Sequence, residues 1–172
     1  MRVVAGELGG RKLVAPDGFS TRPTTDRVRE AIFNSLGSIG LVHDALVVDL
    51  FAGSGAIGIE ALSRGAERCT FVEQDRLALR SLEENLSALG LESRSRVVRG
   101  DALTAAGSID ADVAFADPPY DFADWPALLG AIRADFVVAE SGRSVEAPDG
   151  WEQLRARRYG RTWVSFLERS PQ

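Results

Sequence analysis

Apolar positions along the chain switch between two periods. Ala45-Leu46-Val47-Val48-Asp49-Leu50 is a nearly continuous apolar run, which suits a strand buried on both faces. Ahead of it, Val28, Ala31, Ile32, Ser35 and Leu36 follow the three-and-four spacing of an amphipathic helix. Thr24 or Thr25 stands ready as its N-cap, Asp26 suits its first turn, and Gly37 and Gly40 close it. The alternation then repeats: a helix around Ile57 to Arg64, a strand from Cys69 to Glu73, a helix from Arg76 to Leu89 and a strand near Val97. A strand from Val113 to Ala116, a short helix from Trp125 to Ile132 and a strand from Phe136 to Glu140 follow. Gln153 to Tyr159 and Arg161 to Glu168, joined across Gly160, read as an antiparallel hairpin at the end of the sheet. Such alternation predicts an α/β fold on a mostly parallel sheet.

The first residues stand apart. Arg2 to Ala5 and Arg11 to Val14 are short extended runs around Gly6-Glu7-Leu8-Gly9-Gly10, a β-hairpin or looped ribbon before the main domain, and Pro16, Gly18 and Pro23 then break the chain. We expect residues 1–23 to form an arm and residues 24–172 the principal domain.

Composition narrows the classes. A chain of 172 residues, 45% of them apolar, suits one packed domain. Cys69 has no second cysteine to pair with, His43 is the single histidine, and a metal site of soft ligands is therefore not expected. The opening segment is too charged for a signal peptide, which leads us to expect a cytoplasmic protein. The net charge of -5 opposes polyanion binding, but Arg2, Arg11, Lys12, Arg22, Arg27 and Arg29 crowd one end and Arg155, Arg157, Arg158 and Arg161 the other.

Between the first buried strand and its helix lies Gly53-Ser54-Gly55-Ala56-Ile57-Gly58, the G-x-G-x-x-G pattern that lets a ligand approach the backbone. Glu73 ends the next strand, where an acid accepts hydrogen bonds from a ribose diol, with Gln74 beside it. A nicotinamide or flavin enzyme explains these features equally well. Asp49 separates the readings, because a carboxylate before the glycine turn repels a pyrophosphate but attracts the sulfonium and ammonium of S-adenosylmethionine. Asp101 and Asp117 follow two further strands, so Asp49, Glu73, Asp101 and Asp117 should converge at the carboxyl edge of the sheet. By position, Asp49 serves the methionine end, Glu73 the ribose, Asp101 the adenine amino group and the Ala102 N–H an adenine ring nitrogen.

Asp117-Pro118-Pro119-Tyr120 follows a strand directly, and two prolines there make a stiff, extended turn. Such a turn suits an exocyclic base amine, a poor nucleophile whose lone pair is delocalised. The Asp117 carboxylate and Pro118 carbonyl would each accept one of its hydrogens and favour the tetrahedral, positively charged geometry of attack, while Tyr120 stacks on the base. A base inside a helix cannot reach the turn, so the target is flipped or lies in a loop. Phe122 and Trp125 either extend the stacking surface or pack beneath the following helix.

With those residues placed, the chain resembles the RsmD-type family of bacterial methyltransferases. Asp49-Leu50-Phe51-Ala52-Gly53-Ser54-Gly55 carries the general class I signature. Gly10-Arg11-Lys12-Leu13, Arg22-Pro23-Thr24-Thr25-Asp26-Arg27-Val28-Arg29-Glu30 and Glu60-Ala61-Leu62-Ser63-Arg64-Gly65-Ala66 carry the family's own pattern, which fades after Ser141. The resemblance implies a class I methyltransferase (Rossmann-like) domain: a seven-stranded, mostly parallel sheet with an antiparallel C-terminal hairpin and an N-terminal β-hairpin extension. It implies methylation of a guanine N2 amine in 16S rRNA, in the helix 31 loop, on assembled or partly assembled small subunits where ribosomal proteins can add contacts. Thr25 and Arg27 would then lie near the cofactor or the RNA, and Arg2, Arg11, Lys12 and Arg22 would face phosphate. Three other readings use the same residues: a DNA adenine-N6 methyltransferase, a protein glutamine methyltransferase, and a non-catalytic RNA-binding assembly factor. The chain is short for the first, and its basic arm has no purpose in the second. An intact Asp117 to Tyr120 turn speaks against the third.

Overall fold

The computed structural model describes residues 1–16 and 25–171. Thr25 caps α1 (Asp26–Ser38), its hydroxyl accepting from the Val28 N–H, as its side chain and position predict. Thr24 and Arg22 lie outside the described residues. Gly37 sits within the last turn instead of ending the helix, and Gly40, at φ +71°, turns the chain beyond it. The strands and helices that follow are β1 (Leu46–Asp49), α2 (Ala56–Ser63), β2 (Arg68–Glu73), α3 (Arg76–Leu89), β3 (Ser95–Arg99), α4 (Ala102–Ala106), β4 (Asp110–Ala116), α5 (Trp125–Ala131), β5 (Arg133–Ser141), β6 (Trp151–Tyr159) and β7 (Thr162–Arg169). Helix α4 and a short 3-10 turn at Glu92–Arg94 had no sequence signal strong enough to predict them. Both are under two turns long and carry no sustained apolar period.

The seven strands form one sheet in the order β3-β2-β1-β4-β5-β7-β6. β1 to β5 run parallel, and β7 and β6 close the edge as an antiparallel hairpin. Alternate residues of each central strand feed opposite faces. Val47, Phe71, Val113 and Val138 join the apolar layer with Ile32, Leu62 and Leu82, while Val48, Val72, Ala114 and Val137 pack with Ala106, Leu128 and Leu129. This two-sided burial explains why the strands read as unbroken apolar runs.

The N-terminal run is a looped ribbon in which Arg2 and Lys12 form an antiparallel bridge and the Gly10 N–H donates to the Val3 carbonyl at 2.9 Å. It is docked on the domain: Val3 and Leu13 are buried in the first apolar layer. The fully buried Glu60 of α2 accepts from the Val4 N–H at 2.7 Å and the Ala5 N–H at 3.0 Å, and from Arg64 Nε at 2.7 Å. At Gly6 the ribbon passes so close to α2 that a Cβ would lie 2.0 Å from the Ser63 carbonyl oxygen. Among the described residues no helix is long and apolar enough to cross a membrane.

The buried Glu60 leaves three donors unsatisfied if it is removed. Glu60→Ala is expected to lower stability by about 3 kcal/mol in urea denaturation, with hydrogen-exchange protection at Val4 and Ala5 lost first.

Candidate active site

The strand order reverses between β1 and β4, whose onward connections leave over opposite faces of the sheet. A crevice of about 970 Å³ opens at that point, along the carboxyl ends of the strands. On one side its wall is the glycine turn. Gly53 adopts φ +56° and Gly55 φ +88°, and a side chain on Gly55 would strike Leu82 Cδ1 at 2.5 Å. Gly55 is thus required by the packing beneath the turn, while Gly53 and Ser54 line the crevice itself.

Glu73 lines the same wall. Its Oε2 accepts from the Gly53 N–H at 2.7 Å, and its Oε1 accepts from the Gln74 and Asp75 N–H groups at 2.8 Å. The carboxylate is thereby locked in place at the mouth of the turn, with lone pairs left over for a ligand. Gln74, Ala102 and Thr25 also line the crevice.

Asp49 lies beneath the wall. It is 1% exposed, and its Oδ2 accepts from the Gly58 N–H, one of the free donors in the first turn of α2, at 3.1 Å. Among the described residues its Oδ1 makes no well-formed hydrogen bond, although the nearby Phe51 N–H favours the charged form. Burial, and then the charges of Asp117 and Glu73, push its carboxyl up to about 7, opposed mainly by the Gly58 N–H. Asp49 therefore feels both neighbouring acids from beneath the crevice. A buried carboxylate with an unsatisfied oxygen fits a cationic ligand above it and disfavours an anionic one.

Asp101 commits one oxygen to a cap. Its Oδ2 accepts from the Thr104 N–H and hydroxyl, capping α4, and its side chain is absent from the crevice lining, whereas Ala102 contributes to it.

The opposite wall is the double-proline turn. Asp117, Pro118, Pro119 and Tyr120 all line the crevice, directly after β4. The Phe122 N–H donates to the Pro119 carbonyl at 3.0 Å and closes the turn, leaving Tyr120 66% exposed at the mouth. Phe122 stands edge-on to Phe51 and Trp125, with centroids 5.6 and 5.3 Å apart. Trp125 is buried, so packing claims it.

Of the cationic residues singled out, Arg27 lines the crevice from the start of α1. Arg2 and Lys12 are exposed on the ribbon, and Arg11 is exposed with Nη2 donating to the Ala88 carbonyl near the end of α3. Arg22 lies outside the described residues. Arg29 leaves the basic face altogether. It is fully buried, donating to the Arg2 carbonyl at 2.5 Å and to Asp26 Oδ1 at 2.8 Å.

Residues not singled out also belong to the site. Asn85, a buried polar residue on α3, donates to the Ser54 carbonyl at 2.9 Å and exchanges hydrogen bonds with the Val14 backbone, tying the glycine turn to the ribbon. Its signal was an amide on the apolar face of α3. Glu140 at the end of β5 lines the crevice too, as do Arg158 in β6 and Arg161 in the β6–β7 turn, two of the C-terminal arginines noted in the sequence. The strand-end rule that marked Asp49, Glu73 and Asp117 applies equally to Glu140.

Comparison with known proteins adds to this geometry. The family described as "Conserved hypothetical protein 95" matches residues 1–168. The Bacillus subtilis protein named "Putative rRNA methyltransferase YlbH" is 42% identical over 184 aligned positions, covering 98% of this chain and 99% of that protein. "Ribosomal RNA small subunit methyltransferase D" of Escherichia coli K12 is 43% identical over 122 positions, 70% of this chain and 60% of that protein. Among solved structures, "Putative methyltransferase yhhF from Escherichia coli" superposes with a TM-score of 0.86 at 34% identity, covering 100% of this chain and 99% of that one.

Because folding raises the Asp49 carboxyl from 3.8 to about 7, the folded state holds its proton longer than the unfolded chain. The stabilisation is fully present below pH 4 and is lost as pH rises through about 7. Stability of the ligand-free protein relative to Asp49→Asn is therefore expected to fall between about pH 4 and pH 7 and to level off above. Parallel urea titrations check this, and equal slopes for the two proteins would count against a buried, titrating Asp49.

Proposed function

The chain belongs to the methyltransferase family described as conserved hypothetical protein 95, the RsmD-type family, and from that premise we propose that it methylates the N2 amine of a guanine in 16S rRNA with S-adenosylmethionine as donor. The observation that carries the reading is the meeting of two walls in one crevice. The glycine turn with Glu73 and the buried Asp49 forms one wall, and Asp117 to Tyr120 the other.

The residues present fit the donor. Glu73 would hold the ribose hydroxyls, Gly53 and Ser54 the methionine portion, and the Ala102 N–H a ring nitrogen of adenine, with Gln74 beside it. Asp49 would act from below through its charge, Gly55 through the shape of the turn, and Thr25 from the rim. Asp101 would reach the adenine amine with the oxygen not spent on the α4 cap. When bound, the donor supplies an electrophilic methyl group on a sulfonium.

The chain's own work is to place and polarise the amine. Asp117 and the Pro118 carbonyl accept its two hydrogens, drawing the lone pair out of conjugation and stabilising the positive charge that grows on nitrogen. The stiffness that Pro118 and Pro119 give the turn keeps those acceptors aimed without reorganisation. Tyr120, exposed at the mouth, offers its ring to the flipped base. Alignment of amine and methyl supplies much of the remaining acceleration.

The substrate is 16S rRNA within the small subunit or an assembly intermediate, with ribosomal proteins as further contacts and the cytoplasm as the place of work. Residues 1–23 form the RNA-contacting arm, and residues 24–172 the catalytic domain. Lys12, Arg2, Arg11 and Arg22 from the arm, with Arg27 at the crevice, contact phosphate. A net charge of -5 does not oppose this, because only the charges near the mouth meet RNA within a Debye length of about 8 Å.

The decisive experiment is labelled methyl transfer to small subunits purified from cells lacking the enzyme, followed by mapping of the modified nucleotide. Label in any group other than a guanine N2 sinks the reading. Asp117→Ala is expected to lower kcat by about 100-fold or more with donor affinity within about twofold by calorimetry. The double charge reversal Lys12→Glu with Arg27→Glu is expected to weaken particle binding and to reduce the slope of log K against log salt by about two units. An unchanged slope assigns those residues no phosphate.

A further inference from the structure

Glu140 is an acid that the proposed chemistry leaves without a task. It is 4% exposed, yet it lines the crevice. Its placement follows from the register of two central strands. Ala116 of β4 pairs with Ala139 of β5, so Asp117 and Glu140 leave adjacent parallel strands side by side. Phe115 and Val138, two residues earlier in each strand, face the same apolar layer, and strand alternation puts Asp117 and Glu140 on that same side. Two residues beyond Glu140, a Cβ on Gly142 would meet Tyr120 Cδ1 at 3.9 Å. The end of β5 therefore lies against the double-proline turn where the base is received.

We propose that Glu140 reads the N1–H of the target guanine, beside the Asp117 carboxylate and Pro118 carbonyl that hold its amine. The proposal rests on the guanine-N2 reading above and deepens it. A purine edge offers its exocyclic amine next to N1, and N1 distinguishes the purines. Guanine presents a donor there, adenine a lone pair. Asp117 and Pro118 accept from an amine of either kind and do not discriminate. A second buried acceptor in register with Asp117 does, because it gains a charge-assisted hydrogen bond from guanine and faces a repelled lone pair from adenine. Discrimination of this type is large, because a site built around a donated hydrogen rejects the base that lacks it.

The test uses small subunits assembled on 16S rRNA carrying either guanine or 2-aminopurine at the modified position. 2-Aminopurine keeps the 2-amino group and replaces the N1–H by a lone pair. The wild-type chain is expected to prefer guanine by about 100-fold in kcat/KM. Glu140→Gln keeps the size of the side chain and offers either an acceptor or a donor to N1. It is expected to lower the preference at least tenfold, with the contribution of the missing O6 cancelling between the two proteins. Equal wild-type rates on the two particles overturn the proposal without any variant. A normal wild-type preference left unchanged in E140Q, with donor binding intact, overturns the Glu140 assignment alone. No wild-type transfer to the guanine particle overturns the target reading and this proposal together.

Discussion

A carboxylate buried at the point where the strand order reverses is the interaction on which the rest of the site depends. Asp49 ends β1, is shut away from water, and is compensated chiefly by the Gly58 N–H from the first turn of α2. Burial and the two neighbouring acids make its charge costly, which is why its carboxyl holds a proton up to about pH 7. A cation above the glycine turn relieves that cost. The fold thus holds a preference for positive ligands where related α/β crevices receive phosphate.

The crevice divides by strand. The ends of β1 and β2 carry the glycine turn and Glu73, the donor half of the proposed reaction, while the ends of β4 and β5 carry Asp117 and Glu140, its proposed acceptor half. The sheet sets the distance between the two halves. Parallel pairing of β1 with β4, Val47 opposite Val113 and Asp49 opposite Phe115, brings the halves together without a flexible hinge. Rigidity at this seam serves a reaction whose main demand is alignment.

The ribbon at the N-terminus is part of the same construction. Glu60 and Ser63 hold its backbone to α2, Asn85 holds Val14 and the glycine turn together, and Arg29 is consumed inside to hold Arg2 and Asp26. Arg2, Arg11 and Lys12 stay exposed on the ribbon, and Arg27 lines the crevice.

The local grammar of the chain is legible in its residues alone. Two-sided apolar runs mark β1 and β4, three-and-four spacing with Thr25 as cap marks α1, and strand-end acids mark Asp49, Glu73 and Asp117. These features are encoded by neighbours in sequence, through period and backbone preference. What tertiary structure decided were the partners of polar side chains. Asp101 had the position of a ligand residue and gave an oxygen to the cap of α4, Arg29 had the charge of an RNA contact and became an interior tie, and Glu140 looked like the end of a strand and joined the crevice. A carboxylate or guanidinium takes whichever donor or acceptor the fold brings within about 3 Å. That choice depends on strand register and helix docking, distances no local pattern contains.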